Sequence, residues 1–584
     1  MMKRFLQYIL LVLSVGGGLQ ACQGISQKTF DNKAIDERPN IIVMLVDDMG
    51  YSDLGSYGGE IQTPNLDKIA NNGIRFTQFY NTSRCCPTRA SLLTGLYPHQ
   101  AGIGQMTGNQ HKPGYEGQIK KTAVTIAEVL KDAGYATGMV GKWHVSNTSV
   151  KKNSNGQDRQ AQLDWLNHQA YLNDDFGPLE AYPTARGFDK YYGNIWGVVN
   201  FFDPFSLVNG IEPVKKVPED YYHTTALSDS AVNYIEEFSK SEKPFFMYVA
   251  HTAPHWPLHA LPEDIAKYEN TYNGGWDEIR KARFNRMKEI GIISENVELP
   301  SPQRKIKKWE NNPNKDYDAH KMAVHAAMID RIDQGVGKML KKLEETGELE
   351  NTVILFMSDN GASSETPMFA GFDRNGQTRS GEKVIYTEHK KDVMPGDELT
   401  YAGIGQEWAN VANTPLRYWK AKTFEGGICT PMIAYWEKGI RKQKGTINHS
   451  SGHVIDIMAT CVELANTEYP KSYKGNVIQP LEGKSLVPIF EEGKRVGHEA
   501  IFFEHYWSAA LRSGDWKLVS LPLGDWELYN LKEDRNEMKN VIDLYPAIAE
   551  DLKNKWEQGA QRTMVFPRPK MPKHIKKQAN KKDS

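Results

Sequence analysis

Ile41-Ile42-Val43-Met44-Leu45-Val46-Asp47-Asp48 is the stretch on which the fold turns. Its six apolar residues are rich in β-branched side chains and do not alternate with polar ones, the mark of a short parallel strand buried on both faces. The run then stops on two carboxylates. The same grammar recurs along the chain. A polar, helix-like stretch covers Pro64–Asn72, and residues 124–133 have helical apolar spacing up to Gly134. A strand over 135–140 runs into Gly141-Lys142-Trp143-His144, and Phe245–Ala250 reads as a third strand ending at His251. A helical pattern over 322–343 precedes a fourth strand, 353–357, which ends at Asp359-Asn360.

This alternation predicts an α/β fold, a large mainly parallel sheet sandwiched by helices. In such sheets ligands bind beyond the carboxyl ends of the strands. Each strand read here ends in carboxylate, lysine or histidine, so four distant segments bring polar groups to one edge. Residues 260–318 are charged, helix-like and broken by Pro302 and Pro313, and read as an insertion over the sheet. Residues 361–408 read as a long polar, glycine-rich loop beside that edge. From about Lys494 the pattern changes to short alternating strands, 500–506 and 516–521, and a helix over 546–558. These predict a smaller C-terminal antiparallel α+β subdomain.

The N-terminus is a separate object. Lys3-Arg4 precede an apolar run from Phe5 to Val15 that is too short to span a bilayer and reads as a signal peptide. It closes on Leu19-Gln20-Ala21-Cys22, which resembles the lipobox of bacterial lipoproteins. The mature chain would then be membrane-anchored through lipidated Cys22, outside the cytoplasm, in the periplasm or at the cell surface; plain secretion is the alternative. The predicted organisation is a lipoprotein signal peptide over 1–22, a linker over 23–38, the main α/β domain over 39–493, the subdomain over 494–566 and a basic disordered tail over 567–584. Across 584 residues, 71 Lys and Arg balance 72 Asp and Glu, a formal net charge of −1, which leaves no overall field to draw in nucleic acid. The five cysteines form no disulfide framework, and Cys429 and Cys461 sit in apolar contexts as core residues.

Asp47, Asp48, Asp359 and Asn360 offer only hard oxygen donors from two strand ends, a set that favours calcium or magnesium over zinc. Cys85-Cys86-Pro87-Thr88-Arg89-Ala90-Ser91-Leu92-Leu93-Thr94-Gly95 places a cysteine where proline and a helical run predict a helix N-terminus, a site that favours anions. A redox or metal-binding cysteine pair is the competing reading, and it lacks the Cys-x-x-Cys spacing.

The Cys-x-Pro-x-Arg core with its trailing Leu-Thr-Gly closely resembles the signature of the type I sulfatases, formylglycine-dependent members of the alkaline phosphatase superfamily. The likeness runs from about Asn40 to Gln561 and includes Gly275-Trp276-Asp277 and Asn413-Thr414-Pro415, which resemble blocks of bacterial arylsulfatases. It implies a sulfuric ester hydrolase in which Cys85 is oxidised to formylglycine (3-oxoalanine) by a formylglycine-generating maturation enzyme. It also implies one Ca2+ held by Asp47, Asp48, Asp359, Asn360 and the oxygen of residue 85, with Arg89 holding the aldehyde hydrate. The block at Gly141-Lys142-Trp143-His144 makes Lys142 a contact of hydrate and sulfate, and His144 the base; the two alternate on what reads as an extended segment. His255, within His251-Thr252-Ala253-Pro254-His255-Trp256-Pro257, matches the leaving-group histidine, with His251 in support. Lys420 precedes Glu425-Gly426-Gly427 by the spacing of the family's sulfate-binding lysine, and Lys422 falls out of that register.

Phosphate or phosphonate monoester hydrolysis on the same fold, and an inactive lipoprotein that binds glycans, are the alternative functions. For the substrate, a sulfated carbohydrate is favoured over an aryl sulfate. Aromatic residues crowd Tyr191-Tyr192, Trp196, Phe201-Phe202, Phe205 and Tyr506-Trp507, most of them for the core and some as platforms for a sugar ring.

Overall fold

The computed structural model of the chain describes residues 36–147, 176–303, 306–371, 374–573 and 575–576, with the backbone of 152–153 and 156–157. The signal peptide, Cys22, most of the predicted linker and half of the predicted basic tail lie outside the described residues. Among those described, no helix is long and apolar enough to cross a membrane. Residues from Glu37 onward form one compact unit.

Strand β1 (Asn40–Val46) is buried throughout. Helix α1 (Pro64–Asn72) leads to β2 (Ile74–Tyr80), and α2 (Cys85–Thr94) follows. Helix α3 (Ile126–Asp132) starts at Thr125, whose hydroxyl accepts from the Glu128 amide while the Glu128 carboxylate accepts from the Thr125 amide, a capping box. Then come β3 (Ala136–Gly141), β4 (Lys190–Asn194), β5 (Leu207–Asn209), β6 (Glu212–Pro213), α4 (His223–Phe238) and β7 (Phe245–Ala250). Helices α5 (Gly275–Glu289) and α6 (Lys315–Glu345) precede β8 (Thr352–Ser358), β9 (Cys429–Tyr435), β10 (Thr446–Asn448), β11 (Gly452–His453) and α7 (Asp456–Leu464).

The main sheet has the order β10-β2-β9-β8-β1-β7-β3-β4-β5-β6, with β11 also on β2. Its centre, β8-β1-β7-β3-β4, is parallel; β9 is antiparallel to both of its neighbours. Alternate residues of β1 feed two cores. Ile42, Met44 and Val46 face the helices α4 and α6, whereas Ile41, Val43 and Leu45 face α2, α3 and α7. That is why this strand needs apolar residues at every position: at about 1.5–3 kcal/mol each, the six contribute of order 10 kcal/mol of gross apolar burial.

Register fixes the functional edge. Val46 pairs with Ser358, Leu45 with Ala250, and Ala250 with Gly141. The next residues, Asp47, Asp359, His251 and Lys142, therefore leave the sheet side by side. Residues 260–318 are more integral than an insertion. Trp276 of α5 packs edge-on against Trp309 and Trp408, and Arg283 pairs with buried Asp53 and with Glu60. Within the predicted loop 361–408, Ile385–Tyr386 pairs with Thr400–Tyr401 and a helix spans Gly405–Ala412.

The C-terminal sheet is antiparallel in the order β12 (Ile501–His505), β13 (Ser508–Ser513), β14 (Trp516–Ser520), β15 (Trp526–Asn530). Helix α8 (Pro546–Arg562) lays Leu552 and Trp556 on it. Tyr506 and Trp507 close the β12–β13 turn, both at positive φ (47° and 66°), where Asn-Gly is the usual choice.

Candidate active site

Helix α2 begins at Cys85, and all ten of its residues are buried. Its N-terminus faces the edge where β1, β3, β7 and β8 end. Arg89, one turn on, is wholly buried; it donates to the Lys142 carbonyl at 3.0 Å and to Asp359 Oδ2 at 2.9 Å, and lies 3.5 Å from Asp47 Oδ2. It thereby ties three segments together.

The two acidic dyads meet. The Asp48 amide donates to Asp359 Oδ1 at 3.3 Å, and Asn360 Nδ2 to Asp48 Oδ1 at 2.6 Å. Lys142 pairs with Asp47 Oδ2, and Lys420 lies 2.8 Å from Asp48. The His255 Nε2 atom is 3.5 Å from Asp48 Oδ2, while its Nδ1 faces the Trp256 carbonyl at 2.6 Å. Donor atoms of Asp47, Asp48 and His255 fall within 4.8 Å of one another, as do those of Cys85, Cys86 and His144.

Asp48 adopts φ 67° and His144 φ 54°. The extended alternation read from the sequence is therefore corrected: β3 ends at Gly141, and His144 reaches the site through a left-handed turn. Gly141 (φ 96°) permits the turn, since a Cβ there would sit 1.9 Å from the Ala250 carbonyl oxygen. Gly197 lets the chain close over the His144 ring, where a Cβ would come within 2.3 Å.

Charge at this edge is strongly biased. A hydrogen bond from Cys86, then Lys142 and His144, hold the Cys85 thiol far below its ordinary range against the effect of burial. Burial acts to raise Asp47, but Lys142, His255 and Arg89 outweigh it and draw it down to about 2. Burial and the adjacent Asp47 push Asp359 well up. His144 is lowered chiefly by burial, and His255 by burial and then Lys420, so both favour the neutral ring.

Two buried oxygens, Asp47 Oδ1 and Asn360 Oδ1, have no hydrogen-bond donor. Leaving such acceptors bare costs about 1–3 kcal/mol each. They belong to the all-oxygen set, so a hard divalent cation fits the donors present.

Asp47, Asp48, Cys85, Arg89, Lys142, His144, His255, Asp359, Asn360 and Lys420 come together at this edge, and the structure adds Glu365. Glu365, from the 361–408 segment, accepts from Arg84 at 2.9 Å and from Trp256 Nε1 at 3.1 Å, and lies 3.7 Å from Lys420 Nζ. Burial opposes its charge, but Arg84 and Lys420 hold it below its ordinary range. The loop carrying Lys420 is held at several points. The Lys420 amide donates to the Ala362 carbonyl at 3.1 Å, the Ala421 amide to the Ser83 carbonyl at 2.8 Å, and the Thr423 amide to Ser508 Oγ at 3.2 Å. His251 is buried with neither ring nitrogen hydrogen-bonded, and burial takes it down to about 4. Of the two lysines in the Lys420 loop, Lys420 is the one whose ammonium lies against Asp48 and Glu365. Tyr191, Trp196, Phe201 and Phe205 are core, leaving Tyr192, Phe202, Tyr506 and Trp507 half-buried.

Comparison with known proteins closes the description. The family profile described as Sulfatase matches residues 39–467, and that described as N-sulphoglucosamine sulphohydrolase, C-terminal, matches residues 417–562. An uncharacterized sulfatase of Schizosaccharomyces pombe is 31% identical over 561 residues, spanning 90% of this chain and 94% of that protein. An arylsulfatase of Klebsiella aerogenes is 33% identical over 479 residues, 78% of this chain and 93% of that one. The N-acetylglucosamine-6-O-sulfatase of Bacteroides thetaiotaomicron is 25% identical over 577 residues, 87% and 83% of the two chains. Among solved structures, Ps i-CgsB in complex with k-i-k-neocarrahexaose shares the fold, with a TM-score of 0.60 at 24% identity over 91% of this chain and 98% of that one. On this breadth of agreement the chain belongs to the type I sulfatase family of the alkaline phosphatase superfamily and is a sulfuric ester hydrolase.

Proposed function

We propose that this sulfatase cleaves sulfate monoesters of sulfated carbohydrates, using Cys85 oxidised to formylglycine and one calcium ion held by Asp47, Asp48, Asp359 and Asn360. The observation that carries the reading is the pair of donorless buried oxygens, Asp47 Oδ1 and Asn360 Oδ1, beside a thiol at a helix N-terminus. Formylglycine at residue 85 would supply, as its hydrate, two hydroxyls on one carbon, one suited to attack on sulfur and one whose deprotonation would expel the sulfate and restore the aldehyde. Calcium held by Asp47, Asp48, Asp359 and Asn360 would supply a fixed positive charge for the anionic ester.

The chain's own groups then divide the work. Arg89 fixes the relative positions of Asp359, Asp47 and the Lys142 backbone, and so of residue 85. Lys142 and Lys420 place ammonium groups where sulfate oxygens gain charge. His144, kept neutral by burial and with Nδ1 unpartnered, can take a proton from residue 85. His255, oriented by donating Nδ1–H to the Trp256 carbonyl, turns Nε2 toward the site; once that nitrogen has taken up a proton, the imidazolium can pass it to the departing sugar oxygen and return to the neutral ring. The preference for carbohydrate rests on relatives named for amino-sugar sulfates, among them N-acetylgalactosamine-6-sulfatase of Mus musculus at 25% identity over 520 residues. Lipidation of Cys22 would tether the enzyme outside the cytoplasm; Cys22→Ser should move it from the membrane to the soluble fraction.

The test starts with chain produced beside a formylglycine-generating enzyme. Peptide mass analysis should find the aldehyde at residue 85 and not at Cys86. Chelation should stop sulfate release and calcium restore it. A panel of sulfated mono- and oligosaccharides, scored by the position desulfated, should contain substrates; full activity in metal-free protein sinks the calcium assignment, and turnover confined to aryl sulfates sinks the carbohydrate one.

A further inference from the structure

Beyond the carboxyl edge, the long 361–408 segment and the 200–219 segment enclose a cavity of about 810 Å³. That is within the usual range of ligand sites and larger than a single sulfate ester requires. Two of its walls start close to the catalytic groups. Phe202 follows Gly197, which lies against the His144 ring, by five residues; Ala260 follows His255 by five. At no more than 3.6 Å per residue, the first wall begins within about 18 Å of Gly197 and the second within about 18 Å of His255.

The cavity is braced. Asn200 Nδ2 donates to the Glu398 carbonyl at 2.7 Å, and the Ala260 amide to the Gly396 carbonyl at 3.0 Å. Arg379, its side chain almost fully buried, pairs with Asp203 and donates to the carbonyls of Val214 (3.3 Å) and Lys215 (3.1 Å). Arg379 is therefore a strut between the two segments and is not available to a ligand. What the strut presents is different: Lys215 and Lys216 stand exposed on the cavity rim and join no ion pair among the described residues. Across from them Phe202 and Met394 offer apolar surface, and Glu398, pushed up by burial and by Glu382, Asp203 and Asp397, offers a carboxyl group. Apolar walls for C–H faces, a carboxyl for hydroxyls and unpaired ammonium groups for acidic substituents suit one class of ligand.

We infer that this cavity binds the residues of an anionic oligosaccharide that adjoin the sulfated sugar, with Lys215 and Lys216 taking a second sulfate or carboxylate. The inference rests on the carbohydrate reading above and extends it from one ester to a chain. On this inference a small aryl sulfate, which has no neighbouring sugar, does not need the cavity.

The matured full-length enzyme tests it with two substrates, an activated aryl sulfate and the sulfated oligosaccharide that the panel shows it desulfates best. Lys215→Ala/Lys216→Ala should raise KM for the oligosaccharide about 10-fold, as expected for two exposed charge contacts, with kcat nearly unchanged. Ser380→Trp, which fills the cavity from its rim, should do the same through bulk. Both variants should keep kcat/KM for the aryl sulfate within about twofold, and the lysine effect should shrink as salt rises. Unchanged oligosaccharide KM in both variants overturns the inference while leaving the carbohydrate reading intact. A wild-type enzyme that turns over aryl sulfates alone overturns both, so the two failures are told apart.

Discussion

Two clusters of buried charge occupy this molecule, and only one of them is closed on itself. Between the main sheet and the C-terminal sheet, Lys517 lies 2.8 Å from Glu425 and 2.7 Å from Glu537, Tyr80 donates to Glu425 at 2.9 Å, and Arg535 pairs with Glu425. Both carboxylates there face the Lys517 ammonium, and Glu425 faces Arg535 as well. At the catalytic edge, Arg89, Lys142 and Lys420 also face carboxylates, yet Asp47 Oδ1 and Asn360 Oδ1 have no donor. A closed network specifies a structure, whereas an open one has capacity left for something outside the chain. The contrast can be tested by damaging each cluster separately.

The largest effect should come from the open cluster. Cys85→Ala should lower kcat by about 10⁴-fold or more, as removal of a nucleophile does, with the thermal melt unchanged. A small loss would remove residue 85 from the chemistry.

Acid should act on both regions at once. His223, His453 and His505 are lowered to about 3, and His251 and His259 to about 4, by burial. Because these folded values lie below the ordinary 6.5, the unfolded chain binds more protons than the folded one below that pH. Stability is fully present above about pH 6.5 and declines as pH falls toward 4, by up to about 1.4 kcal/mol per pH unit for each histidine. Melts across that window measure it; a Tm flat from pH 6.5 to 4 would contradict the burial of these rings.

Breaking the closed cluster should show in stability and little in chemistry. Lys517→Met takes the paired ammonium from buried Glu537 and leaves Glu425 with Arg535 alone, and should cost about 3–5 kcal/mol by denaturant melts, while the folded fraction keeps a kcat within a few-fold. Equal loss of kcat and stability would mean the two clusters are one unit.

The finest distinction lies within the catalytic edge. His255→Ala should reduce turnover of sugar sulfates by about 10²-fold or more and spare an activated aryl sulfate, whose leaving group needs little protonation. Equal losses on both substrates would take His255 out of the acid role.

The open cluster was far more legible in the sequence than the closed one. Asp47-Asp48 and Asp359-Asn360 sit at the ends of apolar runs, and Cys85 starts a helix, all signals carried by a few consecutive residues. Glu365 gave no such signal, because its partners Arg84 and Trp256 lie 281 and 109 residues away. Strand β13 escaped for a local reason: its turn is made by Tyr506 and Trp507, which lack the Asn-Gly signature that marks a two-residue hairpin. Strand β15 and the Lys517 pairs likewise depend on contacts formed only in the folded chain.

The enclosure of Cys85 has a consequence in time. Its side chain is 2% exposed, and part of its enclosure is the Lys420 loop, whose Ala421 bonds to Ser83 and whose Thr423 bonds to Ser508 on the C-terminal sheet. In synthesis, residue 85 precedes Lys420 by 335 residues. At about 5–20 residues per second, the thiol emerges about 17 to 67 s before the loop that will cover it exists. On the proposed function, the enzyme that oxidises Cys85 would have to work within that interval, or on a chain kept unfolded, and the rate at which the C-terminal half arrives would then set how much of the protein becomes active.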